Sequence, residues 1–141
     1  MLNCSDIRAG MREVLLTVPT LPPIIVWENT PAPPPETGTP WTREQLSFAD
    51  SDVMVVLGGA QMMVEELGVY LVDLFFPEGY GAEAADELAD AVRATFPPGL
   101  IVTGPEGQVT RVRRTVRGAG LPGDGWYQVP VSIYWRSIAA T

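Results

Sequence analysis

The sequence predicts an α+β fold, a mainly antiparallel mixed sheet with two helices packed on it in a single domain. Three segments support this prediction. Residues 69–76 are typical of a strand that is apolar on both faces, residues 83–96 of an amphipathic helix, and residues 126–136 of a half-buried strand. Because further strands follow through short turns rich in glycine and proline, we expect mainly antiparallel pairing.

The strand at 69–76 needs cover on both faces, because neither face is polar. The helix that follows it has an apolar stripe for one face and an acidic surface for solvent. The stripe comprises Ala85, Leu88, Ala89, Val92 and Phe96, and the acidic surface comprises Glu83, Asp86, Glu87 and Asp90. Cover for the other face must come from a first helix or from a neighbouring subunit. That first helix is predicted from about Ser5 to Val18, with Asn3 or Ser5 as its N-cap.

The segment between the two helices starts with a short apolar strand at 24–27. Residues 29–40 follow, and their prolines, which include Pro33, Pro34 and Pro35, predict an exposed and stiff polyproline-like loop. Two interpretations of this loop stay open, a simple connector and an arm that reaches an adjacent subunit. A weak strand is then predicted from Trp41, followed by an acidic turn at 50–52.

Further strands are predicted at 53–57, from about residue 62, and at 100–102, 108–117 and 126–136. Pro130 lacks the amide donor that a central strand uses. The last strand is therefore expected to lie at an edge of the sheet, or to be bulged at Pro130.

The 141 residues suit one domain, 1–141, which is large enough to bury a core without metals or disulfides. The single cysteine, Cys4, has no partner in the chain, so we expect a reducing compartment and an idle or buried thiol. No apolar run approaches the roughly 18 residues that span a bilayer, and we expect a soluble protein without a membrane partner.

The net charge is −8, from 17 acidic and 9 basic residues, and every basic residue is an arginine. Such a chain repels nucleic-acid phosphate, so sequence-specific DNA binding is not expected. The arginines are nevertheless concentrated in one predicted strand, at Arg111, Arg113, Arg114 and Arg117. Strict alternation would place Arg111, Arg113 and Arg117 on one face, and Arg114 on the other face with Val112 and Val116. A solvated face, a contact with an acidic subunit or partner, and a phosphate site all remain open.

Sequence motifs that would indicate catalysis, a cofactor site or a metal site are weak in this chain. The chain has no histidine and no zinc-ligand spacing, and its serines lack the strand-to-helix turn that exposes a nucleophile. Residues 79–84 fit a glycine-rich dinucleotide fingerprint, but the acids at the start of the following helix would repel a pyrophosphate. Asp50 and Asp52 are interpreted as a solvated turn rather than a cation site. We therefore expect no enzyme activity, no cofactor and no metal.

Two longer segments, VYLVDLFFPEGYGAEAADELADAVRATFPPG and DGWYQVPVSIYWRS, together with PPIIVWENTPAPPP, resemble the small tail terminator (tail completion) proteins of long-tailed bacteriophages. The resemblance implies a non-enzymatic subunit that assembles as a ring, typically of six copies, on the end of the tail tube. It implies three partners, namely further copies of the chain, the tail tube protein and a head or neck connector protein. The implied location is the neck end of the virion tail, after assembly in the host cytoplasm. DNA would pass through as cargo without being bound specifically.

A ring subunit needs two unlike surfaces that meet around a closing rotation. The acidic helix surface and the arginine-rich strand are candidates for these surfaces, with the proline-rich loop and Trp41 as further contacts. Two alternatives remain, another tail-tube or head-tail joining ring component, and a small-molecule or dinucleotide-binding domain. A tube subunit would stack into open-ended assemblies, whereas a dinucleotide-binding domain would be stabilised by its ligand.

Overall fold

The computed structural model describes residues 2–31, 38–55 and 62–140. Pro33, Pro34 and Pro35, and the side chains of Asp50 and Asp52, lie outside the described part. Within these described ranges, two helices and seven strands form one unit, and this confirms the predicted α+β class. The elements are α1 (Cys4–Leu15), β1 (Ile25–Val26), β2 (Trp41–Val55), β3 (Met62–Pro77), α2 (Glu83–Thr95), β4 (Ile101–Thr103), β5 (Val109–Arg117), β6 (Leu121–Gly123) and β7 (Trp126–Ala140).

The sheet has the strand order β1-β2-β3-β7-β5-β4, and β6 also pairs with β7. All pairs are antiparallel except β1 with β2, which is parallel. The three longest described strands, β2, β3 and β7, lie side by side at the centre of the sheet.

Both helices pack on the same face of this sheet, which we call the helix side. Tyr70, Val72 and Leu74 of β3 point to it and are fully buried there. Val69 and Leu71, on the opposite face, are only partly buried. We call that opposite face the open face. The prediction that the first helix covers this face is wrong, because α1 lies beside α2 on the helix side. The other predicted source of cover, a neighbouring subunit, stays a prediction.

The predicted acidic turn at 50–52 is wrong. β2 continues through these residues and pairs with Leu67–Glu65 of β3, after a register shift between Phe48 and Asp50. The composition Asp-Ser-Asp favours turns locally, but pairing along a long hairpin satisfies the backbone groups and overrides that preference.

β7 is an interior strand, so the prediction that it lies at an edge is wrong. Pro130 is tolerated because its missing amide faces the gap between two partners of β7. β5 ends at Arg117 opposite Val131, and β6 begins at Leu121 opposite Gln128. In that gap the Pro130 carbonyl accepts a hydrogen bond from the Gly118 amide at 2.7 Å, and the Gly118 carbonyl accepts one from Arg117 Nε at 3.1 Å.

Asn3 is the N-cap of α1, as predicted, and its Oδ1 accepts a hydrogen bond from the Asp6 amide at 3.1 Å. The helix ends at Leu15, before the predicted Val18. Among the described residues, neither helix is long and apolar enough to span a membrane.

Candidate self-association surface

A β-bulge in β5 determines where the clustered arginines point. Val112 pairs with Trp135 of β7, but the next pair is Arg114 with Tyr134, so Arg113 is an extra residue without a partner in the ladder. An inserted residue reverses the alternation of the side chains that follow it. The predicted face assignment is therefore wrong.

Beyond the bulge, Arg117 points to the helix side and Arg114 to the open face. The Arg117 guanidinium forms a 2.7 Å ion pair with Asp86 of α2. The Arg114 guanidinium lies 4.3 Å from the ring centroid of Tyr134, a cation–π contact. Arg111 precedes the bulge and also faces the open side, where it lies opposite Arg136. We call Arg111, Arg113 and Arg114 the arginine surface; all three are exposed.

The acidic surface of α2 lies on the other side of the sheet. Glu83, Glu87 and Asp90 are exposed, and they remain available for contacts outside the chain. Asp86 is less available, because it forms the ion pair with Arg117. The Asp86 side chain is 48% exposed and the Arg117 side chain is 30% exposed. One of the expected acid–arginine contacts is thus made within the subunit.

Apolar side chains accompany the arginine surface on the open face. Ile101, Val109 and Ile138 line, together with Arg111 and Arg136, a shallow depression of about 350 Å³. Ile101 and Val109 are each nearly half exposed. Arg136 is paired with Glu65, so its charge is neutralised locally, whereas Arg111 has no described acidic partner. The depression combines apolar area with unpaired positive charge, as interface cores and their rims do.

An aromatic groove occupies the other end of the open face. The rings of Trp41 and Phe75 are stacked with centroids 3.9 Å apart, and Trp126 meets Trp41 edge-on at 5.9 Å. The strand β6 flanks these rings and completes a groove of about 550 Å³. Trp41, a predicted contact residue, is thus mostly buried at the base of this groove, and Trp126 is more accessible.

An ion cluster beneath the helices was missed at the sequence level. Glu44 of β2 is fully buried, and its carboxylate accepts hydrogen bonds from Arg12 Nη2 at 2.6 Å and from the Glu28 amide at 2.9 Å. Glu28 in turn accepts from Arg8 Nη1 at 2.5 Å and from the Leu46 amide at 2.9 Å. The cluster joins α1, β2 and the segment after β1. No local signal distinguishes Glu44 from the other polar residues of its strand.

The surroundings of Glu44 keep it charged. Burial raises the pKa of the Glu44 carboxyl, but the hydrogen bonds from Arg12 and from the Glu28 amide outweigh burial, and the net pKa is lowered. The pKa of Glu28 is lowered by the hydrogen bonds from Arg8 and the Leu46 amide. Burial and the adjacent Glu44 charge raise the pKa of Tyr70 far above its ordinary value, so Tyr70 stays neutral.

A family model described as phage tail terminator protein matches residues 6–135. The chain belongs to the phage tail terminator family. The predicted family is therefore confirmed, and this terminator is a phage tail completion protein. No curated protein matches the terminator sequence.

A solved structure resembles the terminator along nearly its whole length. The TM-score is 0.70 and the sequence identity 26%, over 97% of the terminator chain and 96% of the other chain. The similarity supports the described topology from α1 to β7.

The terminator brings its predicted contact residues to two sides of one sheet. Arg111, Arg113 and Arg114 stay exposed on β5, while Arg117 is drawn into a contact with α2. Within the part of the chain that the structure describes, no cluster of three or more His, Cys, Asp or Glu side chains could hold a metal ion.

Proposed function

We propose that this terminator closes into a ring that caps the phage tail tube, ends its polymerisation and offers a surface to the head or neck. The ring has six copies and sits at the neck end of the tail, after assembly in the host cytoplasm. The subunit acts without catalysis or cofactor, and DNA passes through the ring as cargo that is not bound specifically.

The observation that carries the proposal is the position of the two charged surfaces. The acidic surface of α2 lies on the helix side, whereas Arg111 and Arg114 lie on the open face, so the sheet separates them. Arg117, which lies outside the arginine surface, already pairs with Asp86. The other acids of α2 and the arginine surface cannot neutralise each other within one chain, because the sheet lies between them. Contact between the helix side of one copy and the open face of the next would pair them. Such a contact joins unlike surfaces, and it forms a ring when the rotation closes.

The apolar side chains of the open face support the same contact. Ile101, Val109 and Val116 are between 41% and 48% exposed in the isolated subunit, although all three lie on strands of the sheet. Covering them would add a hydrophobic contribution of roughly 25 cal/mol per Å² of buried area to the charge pairing. The charge complementarity would set the orientation of the neighbouring copies.

The test is a charge exchange between two variants. Variant one carries Arg111→Glu, Arg113→Glu and Arg114→Glu, and variant two carries Glu83→Arg, Glu87→Arg and Asp90→Arg. Each variant alone brings like charges together and should remain unassembled, because like-charge contacts at an interface cost several kcal/mol. Mixed in equal amounts, they should alternate and restore the ring. Native mass spectrometry would then find three copies of each in a six-membered ring.

Single substitutions supply the matched control. Glu87→Arg should weaken assembly at least tenfold, whereas Glu13→Arg, which makes the same charge change at an exposed position of α1, should leave it unaltered. If the two triple variants assemble separately as well as the original chain does, the charged surfaces do not form the contact. Electron microscopy of tail tubes polymerised with the original chain should show capped tubes of limited length, and unchanged tube ends would contradict the capping role.

A further inference from the structure

We propose that Tyr80 of one copy anchors the ring contact by packing into the open-face depression of the next copy, beside Arg111. The inference rests on the proposed ring and names the side chain that fills a site on each subunit. Two observations carry it, an aromatic side chain that its own subunit leaves uncovered and an apolar depression that its own chain cannot reach.

Tyr80 is the most exposed of the large hydrophobic side chains in the described residues, at 87%. It lies in the turn between β3 and α2, flanked by Gly79 and Gly81, whose φ angles are +90° and +84°. A Cβ added to either glycine would meet no described atom within 4 Å, so the turn projects from the subunit. The Glu78 amide donates to the Gly125 carbonyl at 3.0 Å and holds the base of the turn. Tyrosine is enriched among the residues that dominate interface energies.

The depression has the chemistry of a site for one aromatic ring. Its volume is about 350 Å³, and Ile101, Val109 and Ile138 line it. Ile101 pairs with Arg111 across β4 and β5, which places the arginine at the edge of this apolar surface. A phenol ring would cover the apolar side chains, and its hydroxyl and its π face both suit a neighbouring guanidinium.

Tyr80 cannot reach the depression of its own chain, because the two lie at opposite ends of β7. Pro77, three residues before Tyr80, pairs with Trp126 at the start of β7. The depression includes Arg136, ten residues further along that strand. Ten strand residues span roughly 33 Å, whereas three residues extend about 11 Å at most, and one side chain does not bridge the difference. The contact therefore needs a second molecule.

Charge identifies that second molecule as another copy of this chain. Glu78 and Glu83 are exposed on either side of Tyr80, so negative charge surrounds the ring. Arg111 has no described acidic partner within the subunit. Packing Tyr80 into the depression brings the two acids towards Arg111, and α2, which begins at Glu83, then follows onto the arginine surface. This is the pairing on which the proposed ring depends.

The first test measures ring assembly by native mass spectrometry over a series of concentrations. Tyr80→Ala should raise the concentration needed for assembly roughly tenfold or more, because it truncates an aromatic side chain at the centre of the contact. Tyr80→Phe keeps the ring and should stay within about threefold of the original chain. Leu121→Ala, at a side chain that is 54% exposed at the other end of the open face, should change nothing. Equal effects of Tyr80→Ala and Leu121→Ala would overturn the proposal.

A double-variant cycle tests whether the two side chains meet. Ile101→Ala should weaken assembly, and adding Tyr80→Ala should weaken it little further, because both changes remove the same contact. Both side chains are exposed in the isolated subunit, so each variant should melt like the original chain. If the two effects on assembly multiply, the side chains do not touch and the inference is overturned.

Photo-crosslinking identifies the occupant of the depression. A chain with p-benzoylphenylalanine in place of Tyr80 is mixed with isotope-labelled original chain and irradiated. The expected product joins residue 80 of the unlabelled chain to a labelled peptide that contains Ile101, Val109 or Ile138. A link within one chain, or to another part of the labelled chain, would overturn the proposal. Tyr80→Ala rings that form normally but fail to cap tail tubes would assign Tyr80 to the tube protein and overturn it as well.

The two proposals fail in different ways. An intact ring of the original chain without the expected crosslink overturns this inference alone. An original chain that forms no ring at any concentration overturns the proposed function, and this inference fails with it.

Discussion

Arg12 and Glu44 form a buried link between α1 and β2, in which both Nε and Nη2 of the guanidinium donate to the same carboxylate oxygen at 3.2 and 2.6 Å. The Glu44 side chain is fully buried, and that of Arg12 is 32% exposed. Removing the Arg12 guanidinium would leave the Glu44 carboxylate buried away from water without its main hydrogen-bond donor.

Arg12→Met should therefore lower the free energy of unfolding by about 3 kcal/mol, measured by urea denaturation. The matched control is Arg43→Met, which breaks a surface pair with Asp73 and should cost less than about 1 kcal/mol. The double variant Arg12→Met/Glu44→Leu should recover part of the loss, because an apolar pair needs no counterion. Equal costs for the two single variants would contradict the buried link.

Stability should fall in acid because of Glu44 and Glu28. Both carboxyls have a folded pKa below the ordinary glutamate value of 4.5, so their stabilising contribution is complete above about pH 4.5 and is lost as the pH falls through the folded values. The midpoint temperature should decline steadily below that pH. Glu44→Gln should lower stability at pH 7 and flatten the acid decline, and an unchanged slope in this variant would contradict the assignment.

Gly68 of β3 lies directly beneath the indole of Trp135, where β2, β3 and β7 meet. A Cβ on residue 68 would overlap the Trp135 ring and the Ser47 carbonyl, and neither can move without disturbing the sheet. Gly68→Ala should cost about 3 kcal/mol or prevent folding. Gly123→Ala, at a position with free space around it, should change stability by no more than about 0.5 kcal/mol in the same thermal melts.

Asp6 links α1 to the turn between β4 and β5 through hydrogen bonds. Its two carboxylate oxygens accept hydrogen bonds from the amides of Glu106 and Gln108, both at 2.7 Å, and the residue is buried. Asp6→Asn replaces one acceptor with a donor, so one buried amide loses its partner at a cost of about 2 kcal/mol. Hydrogen exchange at Glu106 and Gln108 should accelerate. Glu13→Gln on the exposed side of α1 should leave both exchange rates unchanged.

Local periodicity determined much of the fold. The three- and four-residue spacing of apolar side chains predicted both helices, and the alternation in residues 126–136 predicted β7, because these patterns depend only on how a helix or strand projects its own side chains. The same stretches resemble tail terminator proteins, and this family is confirmed over residues 6–135. Part of the candidate surface could also be predicted, since the exposed acids of α2 lie where the helical spacing places them.

Tertiary structure decided how the strands align and what covers each face. The bulge at Arg113 places Arg114 and Arg117 on opposite faces of the sheet. Continuous pairing with β3 extends β2 through residues 50–52. The change of partner of β7 beside Pro130 allows a proline in an interior strand. These features depend on hydrogen bonds between segments that are distant in sequence, which spacing along one strand does not encode. The sequence alone therefore determined both helices, most of the strands and the family. Long-range pairing and packing decided which charges face inward, which face outward, and that the described helices both lie on one face of the sheet.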